Sequence, residues 1–343
     1  MKTILKIKNT FILIAGVSVM FTACTGGSQT IKPANTTKSG QTVFADTITI
    51  EGIALNPEGI EYNKNDQTFL LSSLNAAPIT KVNLDGTFTP FSSGEKYPLS
   101  TAGLQIDYKQ NRLLVAGFNG TELMDNDPTT KGTSHLRIYD LKTGVIKQDI
   151  DLSVLAPDAN AYFANDVAVD HEGNVYISDW YAGLIYKVDE DAKATVFWRN
   201  SSGISGGPNG LDVHPDGYLL VSVITVNDKG IYSEHGLVKI PLNDPRAATN
   251  VTITNSGFGG FDGMVITADG HVVGVTNNQT APGGNMLVEL SSNSDWTSAK
   301  VVNAKAITTS TTVAVTPDNQ NFVINQDFSN NFAKSWSIER IKF

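Results

Sequence analysis

A chain of 343 residues with 41% hydrophobic and 17% charged residues, and 30 glycines, has the composition of a folded globular protein. It is long enough for one all-β domain of about 300 residues or for two smaller domains. A formal net charge of −9 and a pI near 5.0 exclude a nucleic-acid partner, because phosphate backbones need a basic footprint and none is found along the chain.

At the N-terminus Lys2, Lys6 and Lys8 precede the apolar run "TFILIAGVSVMFTA". At about 14 residues this run is shorter than the ~20 that span a bilayer, so it reads as a secretory signal. It stops at Cys24, the only cysteine, which follows the small residues Thr22 and Ala23 in "FTAC". This stretch resembles a bacterial lipobox, with Phe21 where Leu is usual. The expected organisation is a lipoprotein signal over 1–23, lipidation at Cys24, a polar Gly/Ser/Thr-rich tether over 24–42 and a folded domain over 43–343. The expected location is the bacterial cell envelope, at the outer membrane facing the periplasm, held by acyl chains on Cys24.

From Val43 onward the chain shows short runs rich in Val, Ile, Leu, Thr and Tyr, punctuated by Gly, Asn and Asp, which is all-β patterning. One unit recurs: "PEGIEYNKNDQTFLLSS", "TAGLQIDYKQNRLLVAG", "ANDVAVDHEGNVYISD", "PNGLDVHPDGYLLVSV", "FDGMVITADGHVVGVT" and "STTVAVTPDNQNFVINQ". Each is a strand, a turn and a second strand, followed by a third strand and usually a fourth. The starts at Glu58, Ala102, Asn165, Asn209, Asp262 and Thr311 recur at intervals of 44 to 63 residues. Four strands at that period predict a β-propeller with six antiparallel blades. The segment "VFADTITI" before the first unit is expected to pair with the last blade and close the ring.

The first strand of each propeller blade lines the central channel, so the six starting residues are expected to meet near the axis. Glu58, Asn165, Asn209 and Asp262 bring side-chain oxygens to equivalent places in separate blades. Oxygens without thiolate or imidazole suit a hard divalent cation such as Ca²⁺, and these four are the candidate ligands. A bland alternative is that they hydrogen-bond one another and channel waters. Asp166 stands where four other units carry Gly and is expected to support the ligands.

At these residues the sequence resembles the gluconolactonase/regucalcin-like (SMP-30) family of six-bladed propellers, which are similar in architecture to paraoxonases and strictosidine synthases. The match rests on "PEGI", "ANDVAVD", "PNGLDVHPDG" and "FDGM". Longer phrases such as "FANDVAVDHEGNVYISD" look closer to a branch labelled calcium-dependent phosphotriesterase-like. The resemblance implies a lactone or ester hydrolase using Ca²⁺, or another divalent ion such as Zn²⁺ or Mn²⁺. It implies Glu58, Asn209 and Asp262 as metal ligands, Asn165 as the amide that reaches metal or substrate, and Asp262 as the base. Sugar-acid lactonases of this family often carry Arg two positions before that Asn, where this chain has Phe163.

Asp166 is a second candidate base. Phe163, Trp180, Tyr181, His135 and His235 are candidate substrate-binding residues, the histidines lying at the ends of the two longest loops on the metal face. The Gly-rich "SGISGGPNG" and "SGFGGFDG" do not lead into helices, so tight blade connections explain them better than a phosphate cradle. The G-x-S-x-G match at Gly203–Gly207 leads into no helix, so it is not a nucleophile elbow, and His-Glu-x-x-His does not occur; serine-hydrolase and zinc-protease readings lapse. The expected partners are a small lactone or ester and the membrane, for a monomer. The rival reading is a non-catalytic, lipid-anchored propeller that binds a glycan or a protein.

Overall fold

The computed structural model describes residues 42–119, 132–226, 232–255, 258–276, 284–326, 330 and 332–343. Cys24 and nearly all of the segments expected to form the signal and the tether lie outside them, as do residues 120–131 and 227–231 of the two long loops. Among the described residues, helix is limited to two 3-10 turns, Ser153–Leu155 and Pro245–Ala247. No helix there is long and apolar enough to cross a membrane.

The described chain is an all-β propeller. Strand β1 (Thr47–Glu51) leaves its neighbours in sequence and pairs antiparallel with the last strand. Four short strands then form an antiparallel meander: β2 (Ile60–Asn63), β3 (Thr68–Leu71), β4 (Thr80–Val82) and β5 (Phe88–Pro90). The next meander has β6 (Ser100–Asp107), β7 (Arg112–Asn119), β8 (Thr133–Asp140) and β9 (Ile146–Asp151), and a third has β10 (Ala164–Val169), β11 (Val175–Asp179), β12 (Leu184–Val188) and β13 (Ala194–Arg199). Strands β14 (Gly207–His214), β15 (Tyr218–Val226), β16 (Tyr232–Pro241) and β17 (Thr249–Ile253) follow, then β18 (Met264–Ile266), β19 (Val272–Thr276), β20 (Met286–Ser291) and β21 (Ser298–Ala306). Finally β22 (Ser310–Val315), β23 (Asn321–Asn325) and β24 (Ser335–Ile341) take β1 as their fourth strand, so the ends of the domain share one sheet.

Strand pairing departs from the expected set of separate blades at one place. The meanders β14–β17 and β18–β21 form a single eight-stranded sheet, because β17 and β21 run parallel and pair Thr252 with Ser298 and Ile253 with Ala299. Sequence repeats do not report such an outer-edge contact, which depends on how two outermost strands converge.

Buried apolar side chains fill the spaces between successive meanders. Leu70, Ile106 and Tyr139 pack between the sheets of β2–β5 and β6–β9; Ala168, Tyr176 and Val221 pack between those of β10–β13 and β14–β17. Phe44, Phe69, Phe322 and Trp336 fill the space where the ends of the domain meet. Phe44 is buried there against Phe322 with ring centroids 4.9 Å apart.

A bulge at the head of the first strands decides where the axis residues point. Pairing skips between Thr101 and Leu104, Ala164 and Val167, Pro208 and Leu211, and Ser310 and Val313. The skipped pairs are Ala102–Gly103, Asn165–Asp166, Asn209–Gly210 and Thr311–Thr312. A bulge lifts residues out of the ladder and re-aims their side chains. The glycines that follow the starting residues have a steric cause. A Cβ on Gly59 would lie 2.3 Å from the Ala102 carbonyl oxygen, and one on Gly210 would lie 2.3 Å from that of Asp262.

Candidate functional site

The heads of the first strands touch in a closed cycle. Gly59 lies against Ala102, and Gly103 lies against Asp166, where an added Cβ would be 2.3 Å from the carboxylate Oδ1. The Asp166 amide donates to Ser178 Oγ at 3.0 Å, and that hydroxyl donates to the Asn209 carbonyl at 2.7 Å. Gly210 meets Asp262, the Gly263 amide donates to the Thr311 carbonyl at 2.7 Å, and Thr311 Oγ1 donates to the Glu58 carbonyl at 2.5 Å. The residues expected at the axis therefore ring it in chain order.

Glu58, Asn165, Asn209 and Asp262 are all buried, with Asn209 only 2% exposed. Burial pushes the Glu58 carboxyl well above its ordinary range, and the negative charges of Asp262 and Asp166 add to the effect. These three carboxyls are thus close enough to repel one another in a poorly solvated place. Asn209 Oδ1 is buried and accepts no hydrogen bond from the protein. A buried carbonyl oxygen left without a partner costs about 1–3 kcal/mol. An orphaned amide oxygen on one strand head and mutually repelling carboxyls on others of the same ring make a donor set that fits a hard cation. Among the described residues no three His, Cys, Asp or Glu side chains gather as a metal-holding group, so such a set depends on the asparagine amides.

Asp166 is engaged on both oxygens: Oδ1 accepts the Val167 amide at 2.9 Å and Oδ2 the Leu211 amide at 3.0 Å. It latches one first strand to the next. Burial pushes its carboxyl up to about 7 despite those amides.

Deeper along the axis, a space of about 30 Å³ is lined by two or three residues from the first-strand segment of each repeat, among them Glu61, Gln105, Asp166, Asp212, Val265 and Thr312. Glu61 Oε1 accepts the Ile106 amide at 3.3 Å, and Asp212 Oδ2 accepts the Ile266 amide at 2.7 Å. Burial pushes their carboxyls up to about 8 and about 6 respectively. Sequence reasoning missed both residues. The available signal was their equivalence, since each stands three positions after the start of its repeat.

Above the ring stands an aromatic wall. Phe163 stacks on Phe118 at 4.1 Å between centroids and meets Trp180 and Tyr181 edge-on at 5.9 and 5.5 Å. Phe118, Leu74 and Ala102 bury against Phe163, which is 8% exposed. Asp179, fully buried and also missed, organises this wall. Its Oδ1 accepts the amides of Phe163 and Ala182 at 2.9 Å each, and its Oδ2 accepts the Ser134 hydroxyl at 2.5 Å. Trp180 donates Nε1 to the Ile224 carbonyl at 3.2 Å, tying the wall to β15.

The two candidate histidines stand on third strands, His135 opposite Gly117 and His235 opposite Ile224, whose carbonyl holds Trp180. His135 on β8 is buried, holds Asp149 Oδ1 through Nδ1 at 2.7 Å and meets Tyr97 edge-on. His235 on β16 is exposed and packs edge-on against Phe258 at 5.5 Å.

No family model and no curated protein sequence matches the chain. Solved structures do. The major allergen Mala s 1 of Malassezia sympodialis aligns with a TM-score of 0.70 at 16% identity, covering 88% of this chain and 97% of its own. The calcium-binding protein regucalcin of Agrobacterium tumefaciens aligns at 0.57 and 20% identity, covering 87% and 95%. A gluconolactonase of Xanthomonas campestris aligns at 0.56 and 15% identity, covering 86% and 89%. With its axial ring of first-strand heads and these structural neighbours, the chain has the fold of the gluconolactonase- and regucalcin-like propellers.

Proposed function

We propose that this protein is a divalent-metal-dependent hydrolase of lactones or esters, built on six blades. The eight-stranded sheet is read as two blades that touch at their outer strands, since only two residue pairs join them. The observations that carry the functional reading are the orphaned, buried Asn209 Oδ1, on the strand head that meets that of Asp262, and the mutual repulsion of the Glu58, Asp262 and Asp166 carboxyls. Glu58, Asn165, Asn209 and Asp262 would hold the ion, with Ca²⁺ favoured by an all-oxygen set and Mn²⁺ or Zn²⁺ as alternatives. When bound, such an ion supplies Lewis-acid stabilisation of the oxyanion of an attacked carbonyl.

The chain's own residues do the rest. Asp262 takes the proton of the attacking water as general base. Asp166 acts through position, because both of its oxygens hold backbone amides. Phe163 and Phe118, with Trp180 and Tyr181, offer an apolar face to the acyl or ring portion of the substrate and limit water around it. The gluconolactonase neighbour supports this reaction class, and the calcium-binding regucalcin neighbour supports the ion.

The test is direct. Purified protein is stripped of metal, then supplied with Ca²⁺, Mn²⁺ or Zn²⁺ and assayed on a neutral aldonolactone and an aryl ester. Metal-dependent turnover lost in both Asp262→Asn and Asn209→Ala supports the reading; absence of turnover with every ion returns the protein to the class of binding propellers. Lipid anchoring at Cys24 is a separate proposal, tested by radiolabelled-lipid incorporation into the wild type and Cys24→Ser.

A further inference from the structure

A second candidate site lies away from the axial ring. Residues 91–99, between β5 and β6, run along the seam between their two sheets. The run is pinned by backbone bonds from Ser93 to the Gly144 carbonyl and from Ile146 to the Ser93 carbonyl, both at 3.0 Å. Near its end Arg137, 2% exposed, donates Nη2 to the Tyr97 carbonyl at 2.7 Å and Nε to Asp149 Oδ2 at 3.1 Å.

This anchor uses the backbone of Tyr97, so it would serve any residue at that position. Yet the side chain is an aromatic ring, 44% exposed. The Arg137 guanidinium covers the ring at 5.2 Å, and His135 meets it edge-on at 5.9 Å. A large ring held in place by a buried cation and left open to solvent is a rigid platform, and rigid aromatics contribute contact area at low entropic cost.

Two cavities flank that platform and share Lys96 and Tyr97 in their walls. One, of about 270 Å³, includes Ser92, Glu95, Thr101, Arg137 and Tyr139. The other, of about 380 Å³, includes Lys147, Gln148 and Asp149. At ~30 Å³ per water these volumes correspond to roughly nine and thirteen waters, room for one sugar ring each. The cations of the walls are accompanied: Arg137 pairs with Asp149, Lys147 pairs at 2.9 Å with Asp140 just outside the lining, and Lys96 shares a wall with Glu95. A balanced set of planar forks and hydroxyls around an aromatic face suits a ligand with many paired donors and acceptors and no net charge.

We propose that the cavities on either side of Tyr97 form a docking site for a neutral oligosaccharide, one sugar ring stacking on Tyr97 and its neighbours entering the flanking spaces. The site is independent of the axial residues and of any hydrolase activity. Thr101 closes its inner wall, and none of the axial strand-head residues lines either cavity.

The experiment is calorimetric titration of the full chain with cello-, malto- and chito-oligosaccharides of one to three units, and with trigalacturonic acid as the acidic control. The expected result is saturable binding of a trisaccharide from at least one neutral series, roughly tenfold tighter than its monosaccharide. Tyr97→Ala should weaken binding at least about tenfold and Tyr97→Phe by less than about threefold, because stacking needs the ring and not the hydroxyl. Axial lactone turnover should be the same in all three proteins. The proposal is overturned if no neutral series binds at about 10 mM, if Tyr97→Ala binds like the wild type, or if the acidic trisaccharide is preferred by about tenfold.

Discussion

Thr311 Oγ1 donates to the carbonyl oxygen of Glu58 at 2.5 Å, a bond between residues 253 positions apart that joins the last first-strand head to the first. Both residues are buried. Thr311→Val keeps the shape and removes the donor, leaving a buried carbonyl unpaired at a cost of about 1–3 kcal/mol. Urea denaturation should show that loss in Thr311→Val and recovery of most of it in Thr311→Ser. Equal midpoints for wild type and Thr311→Val would mean that this bond does not help close the ring.

Asn209 makes the opposite kind of prediction. Its Oδ1 has no partner in the protein, so truncation to Ala gives up no hydrogen bond at that atom and relieves a buried orphan. Metal-free Asn209→Ala should therefore melt within about 1 kcal/mol of the metal-free wild type, allowing for the small cavity left behind. Added Ca²⁺ should raise the wild-type Tm, because a ligand that binds only the native state stabilises it, and should leave Asn209→Ala unmoved. An equal Ca²⁺ shift in both proteins would remove Asn209 from the ligand set.

The ring of strand heads is legible in the sequence repeat. The repeat aligned Glu58, Asn165, Asn209 and Asp262 because each stands at the same step of a strand-turn-strand unit, and the closing role of "VFADTITI" followed from the need to cover a sheet edge. Other features depend on neighbours that a linear pattern does not contain. The bulge that re-aims Asn165 is a property of its pairing with β11, and Gly59 and Gly210 after their heads answer to backbone carbonyls in the adjacent sheet. Glu61 and Asp212 look like the polar half of an alternating strand, and only the ring geometry turns them toward the axis. His135 was a candidate through its place at a loop end, but strand alternation sets it beside Arg137 and Tyr139 on the face toward the preceding sheet.

Glu61, Asp166 and Asp212 also set a pH dependence. Burial is the main cause in each case, raising the carboxyls to about 8, about 7 and about 6 from ordinary values of 4.5, 3.8 and 3.8. A carboxyl whose folded pKa exceeds its unfolded one holds its proton more tightly when folded. Its contribution to stability is full below the unfolded value and is lost as pH rises through the folded value. The metal-free protein should therefore lose stability between about pH 4 and pH 8. Urea midpoints measured across that window should fall with pH, and Glu61→Gln with Asp212→Asn should flatten the slope. A midpoint that rises toward pH 8 would contradict the burial of these groups.

Phe163 carries the prediction about substrate. An Arg at that position would offer a carboxylate two parallel hydrogen bonds, a contact that an apolar ring does not replace. Here the ring is stacked on Phe118 and flanked by Trp180 and Tyr181, so the wall beside the axial ring is aromatic on several sides. If the axial site is a hydrolase, it should favour a neutral lactone or an aryl ester over a uronic-acid-derived lactone by at least about tenfold in kcat/KM, equivalent to about 1.4 kcal/mol. Phe118→Ala removes the ring behind Phe163 and leaves a cavity, with an expected stability cost of about 3–5 kcal/mol. It should also lower kcat/KM for the aryl ester more than for the small lactone, because only the larger group needs the full wall. Phe163→Leu supplies the control, since it keeps an apolar side chain with less loss of volume. A wild-type preference for the acidic lactone would show that a cation reaches the substrate; Arg137, bonded to Asp149 and to the Tyr97 carbonyl, would then have to be re-examined by substitution with Lys.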